Sequence, residues 1–596
     1  MRLSGLVLAT LVFTSCHEPP ATLPPVRGRA QRVVLLSVDG LAATRHQRLL
    51  STQAYRDPDG LARFAGGGLA ATAIPPNPTL TSVSHATIAT GRLPQEHGIV
   101  GNRFHLPGTP LGATVSGFDH PWEAEPLWAA VHRRGGKVGV ITFPGVDGTS
   151  AARRADFFMV YINRPAAPAR MVELTTADLE GSALKVHVAL EDGGKKETVT
   201  FSLRVVEDTG APALEVGEGT EKRRVGVGEW FPLTVTRPHP DGGQKTLGSW
   251  CLLKALDLEP LRVVLYQGGF YALEAYPRTF RELVEREAGF WPGPPDDAAL
   301  ESGIAGKPGL SLAEYGQQLE RFSRFFTAAT LAAVRHMPFD LLLAYQPVVD
   351  EAQHALTLED PRQPAYTPGL AATAQEFLDW TYLVADGAVG DLARALDLSR
   401  DALVVVSDHG ISPVWAQVNL QTYLNQLGLC ATTRQGQRMA LAPDCTLWAV
   451  QGGGVAHLYA NLATQEPTGL TTAEARHKLL LRATQALARL EAGGEPALEA
   501  VAPREQAEPW GLAHPGSGDL VVFPKLGVGL GGRLEDPLIT APPYAGMHGY
   551  LNHHPSMAAV FMARGAGVPQ GPVASLPLTD VAPFVAKLLA LPPPGQ

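Results

Sequence analysis

Asp350 and His354 lie four residues apart in the run Asp350-Glu351-Ala352-Gln353-His354. If that run is helical, a carboxylate and an imidazole share one face and could share a cation. A second pair, Asp408-His409, leaves the apolar run Val404-Val405-Val406-Ser407. Asp39 ends a similar run in Ser37-Val38-Asp39-Gly40, and His548 stands among glycines in Gly546-Met547-His548-Gly549. A hydroxyl, Thr81, falls in Asn77-Pro78-Thr79-Leu80-Thr81-Ser82-Val83-Ser84-His85, ahead of a helix expected to reach Gly91. Singly, each has an ordinary reading: a turn after a strand, a surface ion pair, a helix N-cap. A helix N-terminus also aims free N–H groups at an anion and can host a nucleophile beside a phosphate.

Taken jointly, the set is three carboxylates, three imidazoles and one hydroxyl. Oxygen and nitrogen donors without thiolates suit zinc, and their number suits two ions. Two divalent ions ~3.5–4 Å apart can clamp the attacking and leaving oxygens of an in-line phosphoryl displacement. A threonine hydroxyl is a weak nucleophile unless a cation stabilises its alkoxide, which gives a reason for Thr81 to stand among such donors.

These residues need a scaffold that brings strand ends together. Val33–Val38, Val138–Thr142, Leu341–Tyr345, Leu403–Ser407 and Leu520–Phe523 are short apolar runs of the kind found in buried parallel strands. Leu312–His336 and Leu370–Leu398 carry helical periodicity ahead of two of them. The alternation predicts an α/β fold with helices on both faces of a mostly parallel sheet. Asp408 and His409 would then stand at a strand's carboxyl end, the usual place for α/β active sites.

Residues 165–260 read differently. Leu184, Val186, Val188 and Leu190 alternate with other residues, as do Val199, Phe201, Leu203 and Val205 after Gly193-Gly194. That is a hairpin pattern, and Trp230–Thr236 continues the β character. The expected organisation is residues 1–30 as leader and tether, 31–164 and 261–596 as two parts of one α/β core, and 165–260 as a β-rich insertion.

The chain has 596 residues, with Lys+Arg 49 against Asp+Glu 58 and a net charge of −9. A partner of long nucleic acid is disfavoured, because phosphate neutralisation calls for the opposite balance. Met1-Arg2, apolar Leu3–Phe13 and Thr14-Ser15-Cys16 have the form of an export signal, too short to span a bilayer. Cys16 is placed as in a bacterial lipoprotein signal, where it would carry lipid, and the Pro-rich residues 18–30 would form an extended tether. The bland alternative is ordinary cleavage and a free product. Cys430 and Cys445 either close a disulfide loop or remain buried thiols, and Cys251 is left over.

In order and spacing the chemical residues resemble the alkaline phosphatase superfamily, in its type I phosphodiesterase/nucleotide pyrophosphatase branch. The resemblance covers most of 32–165 and 310–590, with the β-rich insertion outside it. It rests on Pro78-Thr79-Leu80-Thr81, His85, Thr90-Gly91, Pro94, Glu96 and His97-Gly98-Ile99. It implies an alkaline-phosphatase-like α/β/α sandwich and Thr81 as nucleophile, through a covalent phosphothreonine. It further implies one metal on Asp39, Thr81, Asp408 and His409 and another on Asp350, His354 and His548. Asn102 would donate to a phosphoryl oxygen. Phe143-Pro144-Gly145-Val146-Asp147 and Ser517-Gly518-Asp519-Leu520 are similar to further landmarks and carry no assigned chemistry.

Two departures bear on substrate. Ser82 stands where these enzymes place Phe against a base, forfeiting a stacking contact of about 1–3 kcal/mol. Ser84 replaces an Asn. No Lys-x-Arg stands at the place where the superfamily's phosphomonoesterases use one against a dianionic monoester, Arg153-Arg154 being the nearest candidate. The expectation is an exported, periplasmic or cell-surface phosphodiesterase with two divalent ions, zinc first, acting on a small phosphodiester or nucleotide-like substrate. Its rivals are a phosphomonoesterase or phosphonate hydrolase on the same site, and a non-catalytic surface lipoprotein binding partners through the insertion. Asp/His sites also accept Mn²⁺ or Fe²⁺.

Overall fold

Runs of Val and Leu buried on both sides set the centre of the molecule. The computed structural model describes residues 23–146, 155–162, 164–208, 211–217 and 222–595. Cys16, Asp147, Arg153 and Arg154 therefore lie outside the described residues. The main sheet consists of β1 (Val33–Val38), β2 (Leu69–Ile74), β3 (Val138–Ile141), β4 (Phe157–Met159) and β5 (Ala275–Tyr276), then β6 (Leu341–Gln346), β7 (Ala402–Val406), β8 (Ala559–Gly565) and β9 (Gly571–Pro577). Their spatial order is β5-β4-β3-β6-β1-β7-β8-β2-β9. Only β8 and β5 run against the rest, so the sheet is mostly parallel.

Period-two alternation divides the buried side chains between two cores. Val34, Leu36, Val38, Leu342, Leu403 and Val405 face one layer, which includes Phe322 and Phe326 of α2 (Leu312–His336) and Tyr382 of α4 (Pro368–Ala395). Val33, Leu35, Leu341, Leu343, Val404 and Val406 face the other, with Ile88 of α1 (Thr81–Thr90) and Phe584 of α5 (Val581–Leu588). The result is an α/β/α sandwich. The long helices begin where their sequences provide caps: Ser311 and Glu314 form a capping box for α2, and Thr367 precedes Pro368 at the start of α4.

Register levels the strand ends that matter. Ser37 pairs with Val406, Val38 pairs with Gln346, and Asp39 N–H donates to the Gln346 carbonyl at 3.0 Å. Whatever follows β1, β6 and β7 must therefore meet on one edge. One of these followers is α3 (Val348–Leu356).

The β-rich segment folds as two packed sheets. Val188 pairs with Val199, Val186 with Phe201 and Leu184 with Leu203, around a Gly193-Gly194 turn with φ of 57° and 80°. A single core joins Leu184, Val186 and Leu203 to Phe231, Leu253 and Leu265 of the second sheet. Strand Leu261–Gln267 pairs with Gln244–Leu258 and with Arg170–Thr175, so this β structure runs past residue 260. Leu520–Pro524 also differs from expectation. It is an antiparallel member of a separate four-stranded sheet with Leu447–Gly452, Val455–Ala460 and Leu498–Pro503. Periodicity within one short apolar run cannot tell which sheet will bury it. Cys430 and Cys445 are disulfide-bonded beside this sheet, while Cys251 is a buried free thiol.

Candidate functional site

The loop after β1 turns at Gly40 with φ of +67°. A Cβ there would stand 2.9 Å from atoms of Asp350, so glycine permits both the turn and the close approach of α3. Asp39 is fully buried at this turn. On α3, Asp350 and His354 occupy one face as i,i+4 neighbours, with His354 Nε2 3.4 Å from Asp350 Oδ2. Asp408 and His409 leave β7 fully buried, and Gly40 N–H donates to Asp408 Oδ1 at 3.1 Å. His548 comes from a distant loop and stacks on His409, ring centroids 3.6 Å apart.

Thr81 is the first residue of α1; Leu80 is the N-cap, without a side-chain hydrogen bond. The Thr81 hydroxyl is therefore not spent on capping. Its Oγ1 lies 3.1 Å from His409 Nε2, which is 3.1 Å from Asp408 Oδ2 and 3.5 Å from Asp39 Oδ1. Asp39, Asp408 and His409 form one group whose donor atoms lie within 4.8 Å of one another; Asp350, His409 and His548 form another. His409 thus stands between the two groups. His354 joins through Asp350 and through its ring, 5.1 Å from that of His548.

The donor chemistry fits divalent cations. Asp39 Oδ1, Asp350 Oδ1 and Asp408 Oδ2 are buried with no hydrogen-bond partner among the described residues. The Nδ1 atoms of His354, His409 and His548 reach the carbonyl oxygens of Gly546, Gly410 and Thr79 at 2.9, 3.0 and 3.0 Å. Donation there fixes each ring's orientation and leaves Nε2 as the end where a cation could take the place of a proton.

Electrostatics agrees. Burial, then the nearby Asp408 and Asp350 charges, hold Asp39 well above the usual carboxylate range. Burial and Asp350 push Asp408 up to about 8. Burial also works against charge on Asp350, but His354 outweighs it and holds that carboxyl below its ordinary value. Conversely, burial opposes charge on His354, yet Asp350 carries the imidazole up to about 9. Carboxylates that repel each other in a closed space gain their natural partner from a bound cation.

Asn102 stands in a loop facing the same cavity, a space of about 340 Å³ also lined by Leu80, Arg103, Glu351, His354, Tyr544 and His548. Ser82 N–H and Ser82 Oγ donate to Asn102 Oδ1 at 3.1 and 2.8 Å. That occupies the amide oxygen and leaves the NH₂ group as the end available to an anion. Ser82, which lacks an aromatic ring for a base, thus supplies a positioning contact to Asn102.

Several neighbours had no assigned role in the sequence. The Tyr345 hydroxyl donates to Asp39 Oδ2 at 2.5 Å. His85 donates from Nδ1 to the Thr81 carbonyl at 2.8 Å and receives the Ser37 hydroxyl at Nε2, also 2.8 Å. Gln353 Nε2 donates to the Gly40 carbonyl at 2.7 Å, locking α3 to the turn after β1. Glu351, pushed up to about 8 by burial and by Asp297, faces the cavity with Asp297. His85 was visible as part of the nucleophile motif; the others sit beside motif residues and carry no signal in spacing.

A family model described as type I phosphodiesterase / nucleotide pyrophosphatase matches residues 33–249 and 280–551. The match runs through much of the β-rich segment, so the family resemblance extends into residues 165–249 and is not confined to the α/β core. Ectonucleotide pyrophosphatase/phosphodiesterase family member 3 of Bos taurus is 35% identical over 77 residues, 12% of this chain and 9% of the relative. Family member 7 of Homo sapiens is 28% identical over 151 residues, 24% of this chain and 31% of the relative. The chain thus spans less than a third of the length of either curated relative. Among solved structures, human ectonucleotide pyrophosphatase/phosphodiesterase 5 aligns at 14% identity and TM-score 0.46, covering 94% of this chain and 95% of that one. Phosphonoacetate hydrolase of Sinorhizobium meliloti, with phosphonoformate, aligns at 16% identity and TM-score 0.47, covering 96% and 100%.

Proposed function

The chain belongs to the type I phosphodiesterase/nucleotide pyrophosphatase family, and from that premise we propose that it is an exported, metal-dependent phosphodiesterase with Thr81 as nucleophile. The observation that carries this reading is the meeting of Asp39, Asp350, His354, Asp408, His409 and His548 beside Thr81 Oγ1, with three carboxylate oxygens left unpartnered. Asp39, Thr81, Asp408 and His409 would hold one divalent ion and Asp350, His354 and His548 another, zinc being first choice for such donors. Bound ions supply positive charge to the reacting oxygens and favour the deprotonated hydroxyl.

Thr81 Oγ1 bonds to phosphorus as the bond to the leaving alcohol's oxygen breaks. Water then cleaves the Oγ1–P bond, restoring the hydroxyl and releasing a phosphomonoester. Asn102, held by Ser82, donates to a non-bridging oxygen as its charge grows. His85 holds the first turn of α1 in place through the Thr81 carbonyl.

Arg103 is the only Arg or Lys lining the cavity among the described residues. A monoanionic diester demands less positive charge than a dianionic monoester, which favours a diester. The absent ring at Ser82 favours small diesters over a requirement for a nucleotide base. Export is supported by the leader-like N-terminus and by the Cys430–Cys445 disulfide, a bond that persists in oxidising compartments.

The decisive experiment is turnover of bis(p-nitrophenyl) phosphate by purified Thr81→Ala protein with unchanged circular dichroism. Loss of at least ~10³-fold is expected, and EDTA should silence the unaltered enzyme until zinc is returned. Near-full activity without the Thr81 hydroxyl overturns the mechanism. Parallel assays with p-nitrophenyl phosphate and phosphonoacetate separate the diesterase from its two chemical rivals.

A further inference from the structure

Two adjacent histidines, His553 and His554, follow the loop that carries His548 and lie outside the set around Thr81. Glu499 faces them from Leu498–Pro503, the edge strand of the four-stranded sheet. Leu498 pairs with Pro524 and Ala500 with the adjacent Phe523, so Glu499 is the extra residue of a bulge. Bulges re-aim a side chain out of the regular ladder. Here the carboxylate meets both imidazoles: Oε1 is 3.0 Å from His553 Nε2 and Oε2 is 2.7 Å from His554 Nε2. One donor atom from each residue falls within 4.8 Å of the other two.

We infer that Glu499, His553 and His554 form a further divalent-cation site, separate from the cluster around Thr81. Tetrahedral zinc with ~2.0–2.1 Å bonds places its ligands about 3.3 Å apart, a spacing that lies within the 4.8 Å spread of the three donor atoms. Two imidazoles and one carboxylate suit zinc, nickel or copper rather than calcium or magnesium. His553 is half exposed, with 50% of its side-chain surface accessible, so the site opens to solvent and can exchange its ion.

Its position gives such an ion something to brace. Asn552, just before His553, donates from its backbone N–H to Asn77 Oδ1 and from Nδ2 to the Pro75 carbonyl, both at 2.7 Å. Thr79 in turn donates to the Tyr550 carbonyl at 3.0 Å. A cation on Glu499 and the two histidines ties the edge of the small sheet to the loop that supports the segment leading to Thr81. The inference stands independently of the chemistry assigned to Thr81.

The test is zinc content by mass spectrometry after equilibrium dialysis of full-length protein free of any polyhistidine tag. Glu499→Gln and His553→Ala should each hold one zinc per chain fewer than the unaltered protein. Zinc should also raise their melting temperatures less. Glu499→Gln keeps the side chain's shape, and His553→Ala alters a half-exposed position, so at least one should yield folded protein. Unchanged zinc content in the folded variants overturns the site and leaves only a carboxylate–imidazole pairing.

Discussion

At the scale of single residues, the site depends on how each polar atom is engaged. The three site histidines direct Nδ1 to backbone carbonyls, which settles the ring orientation before any ligand arrives. Asn102 owes its orientation to Ser82, since both the backbone and the hydroxyl of Ser82 donate to its amide oxygen. Removing the hydroxyl keeps one of two contacts and lets the amide rotate. Ser82→Ala is therefore expected to lower kcat on bis(p-nitrophenyl) phosphate by roughly tenfold, the equivalent of about 1.4 kcal/mol. Zinc content should stay the same. A kcat equal to that of the unaltered enzyme would mean that Ser82 does not position Asn102.

At the scale of elements, the turn after β1 and the first turn of α3 must occupy nearly the same space. Gly40 makes this possible in two ways, by its left-handed backbone and by leaving room beside Asp350. Gln353 then fastens the two elements through the Gly40 carbonyl. Gly40→Ala would face both a positive φ and a Cβ at 2.9 Å from the Asp350 backbone and side chain. The expected cost is about 1–3 kcal/mol of stability, together with reduced zinc affinity as α3 is pushed away. Chemical denaturation and zinc titration measure the two effects. An alanine variant with unaltered stability and zinc affinity would show that α3 and the β1 turn are not mutually constrained.

At the scale of the whole molecule, several buried histidines outside the site are neutral parts of the framework. His97 is fully buried, accepts the Ile99 N–H at Nδ1 and faces the Thr87 hydroxyl through Nε2. Burial, with His514 nearby, pushes it down to about 3 from an ordinary 6.5. His457 likewise receives the Gly518 N–H and donates to the Val100 carbonyl, and burial lowers it to about 4. A histidine whose folded pKa is depressed binds its proton more readily in the unfolded chain. Its contribution to stability is whole above about pH 6.5 and falls as pH is lowered toward the folded value. Each such group adds a slope of about 1.4 kcal/mol per pH unit within that window. His97→Gln cannot titrate there. Its urea-unfolding stability should vary less steeply with pH between 6.5 and 4 by about that amount. Parallel curves for the two proteins would rule out His97 as a buried neutral group.

Local order in the chain was enough to announce β1, β6, β7, α2 and the hairpin around Gly193-Gly194, because burial on one or both faces leaves a periodic mark on residue type. The i,i+4 spacing of Asp350 and His354 depended only on α3 being helical, and the Asp408-His409 pair only on where β7 ends. Other features have no mark of that kind. Leu520–Pro524 looks like a central parallel strand but belongs to another sheet, since partner choice depends on residues far away. The extent of the β-rich segment past residue 260 follows from the pairing of Leu261–Gln267, and the disulfide from the meeting of Cys430 and Cys445. The same holds for Tyr345 on Asp39, Ser82 on Asn102, and Glu499 between His553 and His554. The sequence by itself determined the kinds of donor and the elements that carry them. Only tertiary structure decided which of them touch, because contacts between distant segments arise from sheet order and register, and neither is written in any single stretch of chain.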